Sequence, residues 1–342
     1  MSKFIVQAEA TGDVLYSDEG LSFWGGVDPL TGRVVDVHHP WYGHEIAGKI
    51  LVMPTSRGSC SGSGVLLELV LNGRAPAALI FSMAEETLTL GAVIAARFFG
   101  KTIAVVHLES EEFDALSQVP EATIRENVLF FRKNRCTLRP LQKFDLKLSP
   151  LDKLRLSGDP TDPTTLAMEV ICIMAVALGA ERLTDVTRGH IDGCILAHDA
   201  NLIFAERMAE LGAKVQIPTT INAISVDREN SASYGLPTSF ENAASRLADA
   251  YVKMGAQPTF TCAPYLLDDV PQLGEIIGWS ESNAVIFANS VLGAQTAKLP
   301  DYLDLFVAII GRAPDTGMYN VECRRPSLAI DCWVPEHHDD SL

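Results

Sequence analysis

Apolar and polar positions along the first 135 residues come in short bursts. Runs at 14–16, 49–53, 77–81 and 102–106 carry consecutive apolar or β-branched side chains of strand length. Turns such as Trp24-Gly25-Gly26 and Asp28-Pro29-Leu30-Thr31-Gly32 separate them. Between these runs, 65–71 and 89–98 are long enough for short helices, and the alternation predicts a compact α/β unit. After a polar and basic crossing at 132–147 the period lengthens. The stretch 165–179 predicts a long apolar helix, and 202–211 sets Leu202, Phe204 or Ala205, Met208 and Leu211 on one face. The pattern returns at 239–255 with Ala243, Leu247, Ala250, Tyr251 and Met254, while 215–217 (ended by Pro218) and 259–261 read as buried strands. Segments 284–288 and 303–310 read as core, and 328–334 as strand-like before the polar tail His337-His338-Asp339-Asp340. The expectation is two units, 1–140 and 146–342, the second a layered α/β domain that lacks a third layer of elements to finish it.

Composition narrows the class. With 342 residues, 47% hydrophobic and 20% charged, the chain has apolar material for a buried core and a length that suits two domains. A net charge of -16 at pH 7 argues against nucleic acid or an anionic membrane as partner and leaves room for a small anionic substrate at a locally positive site. The nearest approach to a membrane span, 170–180, is too short and suits a buried helix. Met1-Ser2-Lys3-Phe4-Ile5 opens no secretory apolar region, so a cytoplasmic location is expected. The seven cysteines (Cys60, Cys136, Cys172, Cys194, Cys262, Cys323 and Cys332) are scattered and form no CxxC pair, as expected of reduced, mostly buried thiols.

The most informative local feature is Met53-Pro54-Thr55-Ser56-Arg57-Gly58-Ser59-Cys60-Ser61-Gly62-Ser63-Gly64, between an apolar strand and an apolar helix. Loop amides and a helix N-terminus that face outward together bind carboxylate or phosphate, and Arg57 adds a cation with two-pronged geometry. No lysine follows Gly64, so a Walker A loop is excluded, and Gly62-Ser63-Gly64 lacks the third glycine of a dinucleotide fingerprint. No nucleophile elbow centres on Ser59 or Ser61. Taken alone, the loop suits a helix start in which Ser61 or Ser63 caps and the glycines turn.

Leu21-Ser22-Phe23-Trp24-Gly25-Gly26-Val27-Asp28, Thr31-Gly32-Arg33-Val34-Val35-Asp36, Gly43, Gly48-Lys49-Ile50-Leu51-Val52 and Arg57-Gly58-Ser59 together resemble the small swivelling domain of the aconitase X family. Downstream, Gly189-His190-Ile191-Asp192-Gly193, Lys214-Val215-Gln216-Ile217-Pro218-Thr219-Thr220-Ile221-Asn222, Thr261-Cys262-Ala263-Pro264-Tyr265 and Glu281-Ser282-Asn283-Ala284-Val285-Ile286-Phe287-Ala288-Asn289-Ser290 are similar to its large domain, in family order between about residues 13 and 318. The implied fold is α/β: a small swivelling β/α domain fused to an incomplete layered aconitase-like large domain.

The resemblance implies that Ser59 is the proton acceptor in a dehydration and that an iron–sulfur cluster acts as Lewis acid, with Cys262 as the one ligand it places. The family's remaining ligands fall beyond residue 342, and neither Cys323 nor Cys332 matches a ligand motif. Arg57, His190, Asp192, Gly193, Cys194, Ile195 and Asn222 are the implied substrate contacts. Read without the resemblance, His190 and Asp192 suit a solvated turn as well as a site, and Asn222 suits a loop cap. Asp192 and Cys194 depart from the archaeal phosphomevalonate-type pattern, and Ala223 replaces its proline, which weighs against a phosphate site. Fusion of the two parts through 141–156 favours cis-3-hydroxy-L-proline, dehydrated to 1-pyrroline-2-carboxylate, over mevalonate 5-phosphate. The substrate class expected is a small hydroxy acid or hydroxy amino acid. The other reading left open is an inactive fragment or binding subunit that requires the missing C-terminal part of the large domain as partner.

Overall fold

The computed structural model describes residues 2–141, 146–230 and 234–325, with 328 and 330. Cys332 and most of the strand-like run expected at 328–334 lie outside them. The first unit is a mixed sheet built from β1 (Lys3–Val6), β2 (Ala10–Tyr16), β5 (Ile50–Val52), β6 (Ala78–Phe81), β7 (Ala104–His107), β8 (Glu121–Arg125), β9 (Val128–Phe131) and β10 (Asn134–Thr137). The short hairpin β3 (Val27–Asp28) and β4 (Arg33–Val34) stands outside it. Strand order is β1-β7-β6-β5-β2-β8-β9-β10, with β2, β5, β6 and β7 mutually parallel. Helices α1 (Gly62–Leu71) and α2 (Thr87–Phe99) supply the crossovers, and α3 (Ser110–Asp114) follows β7. All four strands and both helices expected here are present. The meander β8–β10 is not evident in the apolar pattern because its exposed face alternates in polar residues such as Glu121, Arg125 and Arg135.

The second unit begins with α4 (Pro150–Leu156) and α5 (Pro163–Ala177), the latter capped by Asp162, whose carboxylate accepts from the Thr164 and Thr165 amides. It continues through β11 (Leu183–Asp185), β12 (Gly189–Ile191), α6 (Asp199–Glu210), β13 (Thr219–Ile221), α7 (Thr238–Lys253), β14 (Gly278–Trp279), α8 (Ser282–Phe287), α9 (Leu303–Ile310) and β15 (Arg312–Pro314). Strands β13, β12 and β14 form a parallel sheet in that order, and β11 pairs antiparallel with β15.

Two expected strands are corrected. Residues 215–217 form no ladder and instead bind helix ends, the Val215 amide donating to Met254 O and the Gln216 amide to Ala308 O. The strand instead starts after Pro218, which has no amide hydrogen to give to a ladder. Residues 259–261 run beside β13, but Phe260 sits at φ 44°, a left-handed backbone that breaks the extended repeat. No helix among the described residues is long and apolar enough to cross a membrane.

The two units share one apolar core. Phe98 of α2 stacks on Phe306 of α9 at 5.7 Å and meets Phe204 of α6 edge-on at 5.8 Å, and Phe204 contacts the Tyr302 ring at 4.5 Å. Gly64 in α1 lies so close to Tyr302 that a Cβ would stand 2.9 Å from its hydroxyl. A polar tie complements this packing: Glu68 of α1, only 7% exposed, accepts the Ala200 amide at the start of α6. Each Glu68 oxygen is used, the second by Asn72 Nδ2.

Removing this acceptor leaves the buried Ala200 amide unpaired, a loss of about 1–3 kcal/mol. Glu68→Ala is therefore expected to lower the urea midpoint with an unchanged slope, whereas an unchanged midpoint would show that the tie contributes nothing.

Candidate active site

The loop between β5 and α1 is held from both sides. Ser56 Oγ donates to Glu85 Oε1 at 2.5 Å, and the same buried carboxylate accepts the Leu88 and Thr89 amides at the start of α2. Gly58 adopts φ +94°, and a Cβ there would fall 2.3 Å from Ser22 Oγ, so only glycine fits. Ser63 Oγ reaches both Cys60 O, at 3.0 Å, and Asp301 O, at 3.2 Å, tying the loop to the segment before α9. Neither expected serine cap forms. Ser61 occupies the N-cap position without a side-chain cap, and the amides of Gly62, Ser63 and Gly64 turn inward onto Ser59, Cys60 and Ser61 carbonyls. One loop amide points at a hydroxyl instead: the Ser61 N–H donates to Ser59 Oγ at 3.3 Å.

Across from this loop lie the carboxyl ends of the parallel strands, the usual position for ligands in an open α/β sheet. His190 is in β12, Asp192, Gly193, Cys194 and Ile195 follow it, Asn222 follows β13, and Glu281 follows β14. The two sides touch where Cys60 Sγ donates to Asp192 Oδ2 at 3.5 Å. Asn222 Nδ2 donates to Asp192 Oδ1 at 2.6 Å while its carbonyl accepts the Cys194 amide, so the fully buried Asn222 orients the Asp192 carboxyl. Gly193 has no room for a side chain, since a Cβ would lie 2.4 Å from Tyr251 Oη. His190, also buried, places Nδ1 2.8 Å from Thr220 Oγ1 and Nε2 3.5 Å from Glu281 Oε2.

Acidic groups crowd this seam. The amide of Asp192 donates to Asp304 Oδ2 at 2.8 Å, and Asp301 and Asp304 are both fully buried at the head of α9. Burial first, then the neighbouring Asp301, Glu281 and Asp304 charges, pushes the Asp192 carboxyl up to about 8. Burial and Asp301 bring Asp304 to about 7, and burial raises Asp301 as well. Burial, then Asp301 and Asp192, also raises the Cys60 thiol. Cys60, Asp192 and Asp301 bring ligand atoms within 4.8 Å of one another, forming the sole Cys/Asp cluster of metal-ligand proximity among the described residues. Within it Cys60 donates its thiol hydrogen to Asp192.

The remaining expected residues lie further out. Arg57 pairs with Asp36 at 3.0 Å and faces Glu19 at 3.9 Å. Together with Gly58, Cys60, Glu86 and Lys298 it lines a cavity of about 370 Å³ beside the loop. Burial, then the Glu85 charge, raises Glu86 to about 7. Cys194 is buried and its thiol rises to about 12 through desolvation, whereas Ile195 is 44% exposed. Cys262 is half-buried near Glu281, its thiol raised by burial and then by that carboxyl, and its carbonyl accepts from Asn283 Nδ2. Sequence reasoning missed Asp301 and Asp304, although two acids heading the apolar run at 303–310 were a usable signal. Cys60 and Glu281 were read without a role.

The description "aconitase X first domain" matches residues 145–322, and "aconitase X swivel domain" matches residues 1–130. Cis-3-hydroxy-L-proline dehydratase of Pseudomonas aeruginosa is 45% identical over 96% of this chain and 57% of its own length. The Hypocrea jecorina protein of the same description is 44% identical over 98% of this chain and 58% of its own. The phosphomevalonate dehydratase large subunit of Methanothermobacter thermautotrophicus is 35% identical over 51% of this chain and 44% of its own. The chain thus spans somewhat over half the length of the first two relatives.

Asp192 and Asp304 release their protons at higher pH in the folded chain than an unfolded aspartate would. The folded state therefore holds protons that the unfolded state gives up from about pH 4 upward, so this contribution to stability is lost progressively as pH rises from there and the loss levels off above about 7 for Asp304 and about 8 for Asp192. Chemical denaturation across that window is expected to show falling stability, with a shallower fall in Asp192→Asn. Parallel curves for the two proteins would remove Asp192 from the account.

Proposed function

Because the chain belongs to the aconitase X family, we propose that it is a hydro-lyase that dehydrates a small hydroxy amino acid, cis-3-hydroxy-L-proline, with Ser59 as the proton acceptor. The observation that carries this reading is the meeting of the two units: the Ser59 loop closes on Asp192 through Cys60 at 3.5 Å, joining the residues matched in one part to those matched in the other. Identity of 45% and 44% to two proteins described by that activity supports the substrate, while the phosphomevalonate relative matches only half of the chain.

Removing a proton from the carbon beside a carboxylate develops negative charge on the substrate and requires a base held at that carbon. Ser59 Oγ offers the base, and the Ser61 amide directed at it stabilises negative charge on that oxygen. In this reading Asp192 receives the ring ammonium. A cation there relieves the repulsion among Asp192, Asp301, Glu281 and Asp304, so substrate binding and ionisation of Asp192 reinforce each other. Asn222 holds the carboxyl in position for that contact. With the proton gone, the adjacent hydroxyl departs and the ring double bond forms, after which tautomerisation yields the cyclic imine.

The resemblance also implies an iron–sulfur cluster. Such a cluster takes three or four thiolates, and the described residues offer Cys262 alone in the matching stretch, outside the cluster formed by Cys60, Asp192 and Asp301. They do not fit the group by themselves, and the steps above use none. We place the division between swivelling and large domains in 141–145, between β10 and α4.

In the complete polypeptide, Ser59→Ala is expected to lower turnover of cis-3-hydroxy-L-proline by about 10²–10⁴-fold. Substrate affinity measured by calorimetry should stay within about threefold of the parent. Near-native turnover would reduce Ser59 to a structural residue.

A further inference from the structure

We propose that Cys60, Asp192 and Asp301 form a binding site for a single thiophilic divalent cation of the zinc class, held in the seam between the two units. The site goes beyond the hydro-lyase reading, and only its consequence for substrate rests on that reading. One ligand atom from each of the three residues lies within 4.8 Å of the others. Zinc takes sulfur at about 2.3 Å and carboxylate oxygen at about 2.0 Å in a tetrahedron, so a sulfur and an oxygen on one ion stand about 3.5 Å apart. Cys60 Sγ and Asp192 Oδ2 are already separated by 3.5 Å. A small rotation of the Asp301 side chain completes the set, and the fourth tetrahedral position falls to water.

Asp301 marks this cluster as a place for a ligand. It is 3% exposed, and its Oδ1 is sealed from solvent and accepts no hydrogen bond among the described residues. A buried carboxylate oxygen without a donor is costly, and a bound cation satisfies it. The surroundings hold the other ligands in place. Asn222 Nδ2 occupies Asp192 Oδ1 at 2.6 Å, which leaves Oδ2 directed at Cys60, the outer-shell support that metal-bound carboxylates commonly have. Ser63 Oγ fixes two of the three backbones, donating to Cys60 O at 3.0 Å and to Asp301 O at 3.2 Å. Cys60 also lines the cavity of about 370 Å³ beside the loop, which gives an ion a way in.

The donor set selects the ion. One thiolate with two carboxylates suits zinc or cobalt(II) and disfavours magnesium and calcium, which take oxygen ligands alone. An iron–sulfur cluster takes three or four thiolates, and Cys262 lies outside the three residues, so this site is distinct from the one the family resemblance implies. The charge agrees with a cation. Burial and the Asp301, Glu281 and Asp304 charges push the Asp192 carboxyl up to about 8, and burial with Asp301 and Asp192 raises the Cys60 thiol, while the Lys298 ammonium acts on Cys60 and Asp301. On binding, the Cys60 S–H bond breaks, the sulfur gives its electron pair to the ion, and the proton leaves to solvent with no change of oxidation state. An ion on Asp192 Oδ2 excludes a ring ammonium from the same carboxyl, so zinc and cis-3-hydroxy-L-proline compete.

The test titrates this chain with cobalt(II) and with zinc in the absence of substrate. Cobalt is expected to give the near-ultraviolet charge-transfer band of a cobalt–thiolate bond, and a single equivalent of zinc to remove it. Cys60→Ser should abolish the band and weaken zinc by about 100-fold or more, whereas Cys262→Ser should keep both. Asp301→Asn should keep the band with zinc about 10–100-fold weaker, and if it fails to fold the two cysteine variants decide. No band in the parent, a band that survives Cys60→Ser or one lost in Cys262→Ser would overturn the site, as would parent-like zinc affinity in Asp301→Asn. In the complete polypeptide, zinc is expected to raise KM for cis-3-hydroxy-L-proline without lowering kcat. An unchanged KM beside an intact Cys60 band would overturn Asp192 as the partner of the ring ammonium and leave the metal site standing.

Discussion

Carboxyl groups buried side by side cannot all be ionised, and the seam between the two units of this protein brings Asp192, Asp301, Asp304 and Glu281 together, with Lys298 as a cation acting on the Asp301 carboxyl. Protons, thiol and amide donors take up the imbalance. Cys60 donates across the seam, Asn222 donates from β13, and the Asp192 and Leu305 amides donate to Asp304. This requirement places the serine loop. Cys60 on Asp192 and the Ser63 hydroxyl on the Asp301 carbonyl bind that loop to the opposite unit.

The surrounding architecture serves that contact. Each unit presents the carboxyl ends of parallel strands toward the seam, β5 delivering the serine loop and β12, β13 and β14 delivering the facing residues. The aromatic group of Phe98, Phe204, Phe306 and Tyr302 fixes how α2, α6 and α9 meet, and Glu68 adds a directional bond between α1 and α6. Close packing of this kind transmits small displacements, so the distances in the site depend on side chains well outside it. The glycines at 58, 64 and 193 mark the places where the approach is tightest.

Much of the chain was legible from its residues. Strands β2, β5, β6 and β7 and the helices α1, α2, α5, α6 and α7 follow from apolar runs and helical spacing, because β5, β6 and nearly all of β7 are buried on both faces, each helix buries one, and β2 carries the half-buried run Val14-Leu15-Tyr16. The serine loop stood out by composition, and its flanking motifs tied it to residues more than a hundred positions away. What stayed hidden were elements whose burial is shared or partial. The meander β8–β10 exposes one face, and β11, β12, β14 and β15 have two or three residues each, too few for a period to show.

The residues themselves determined that the chain is an α/β protein with a glycine- and serine-rich loop after its second apolar strand run, and that Asp192, Asn222 and Cys262 belong to stretches that resemble one family. Only the tertiary structure decided which acids face that loop. Asp301 and Asp304 are separated from Cys60 by over two hundred residues, and a carboxyl's chemistry depends on what surrounds it in space. Burial beside other acids is a property of the packed seam that no local pattern of side chains encodes.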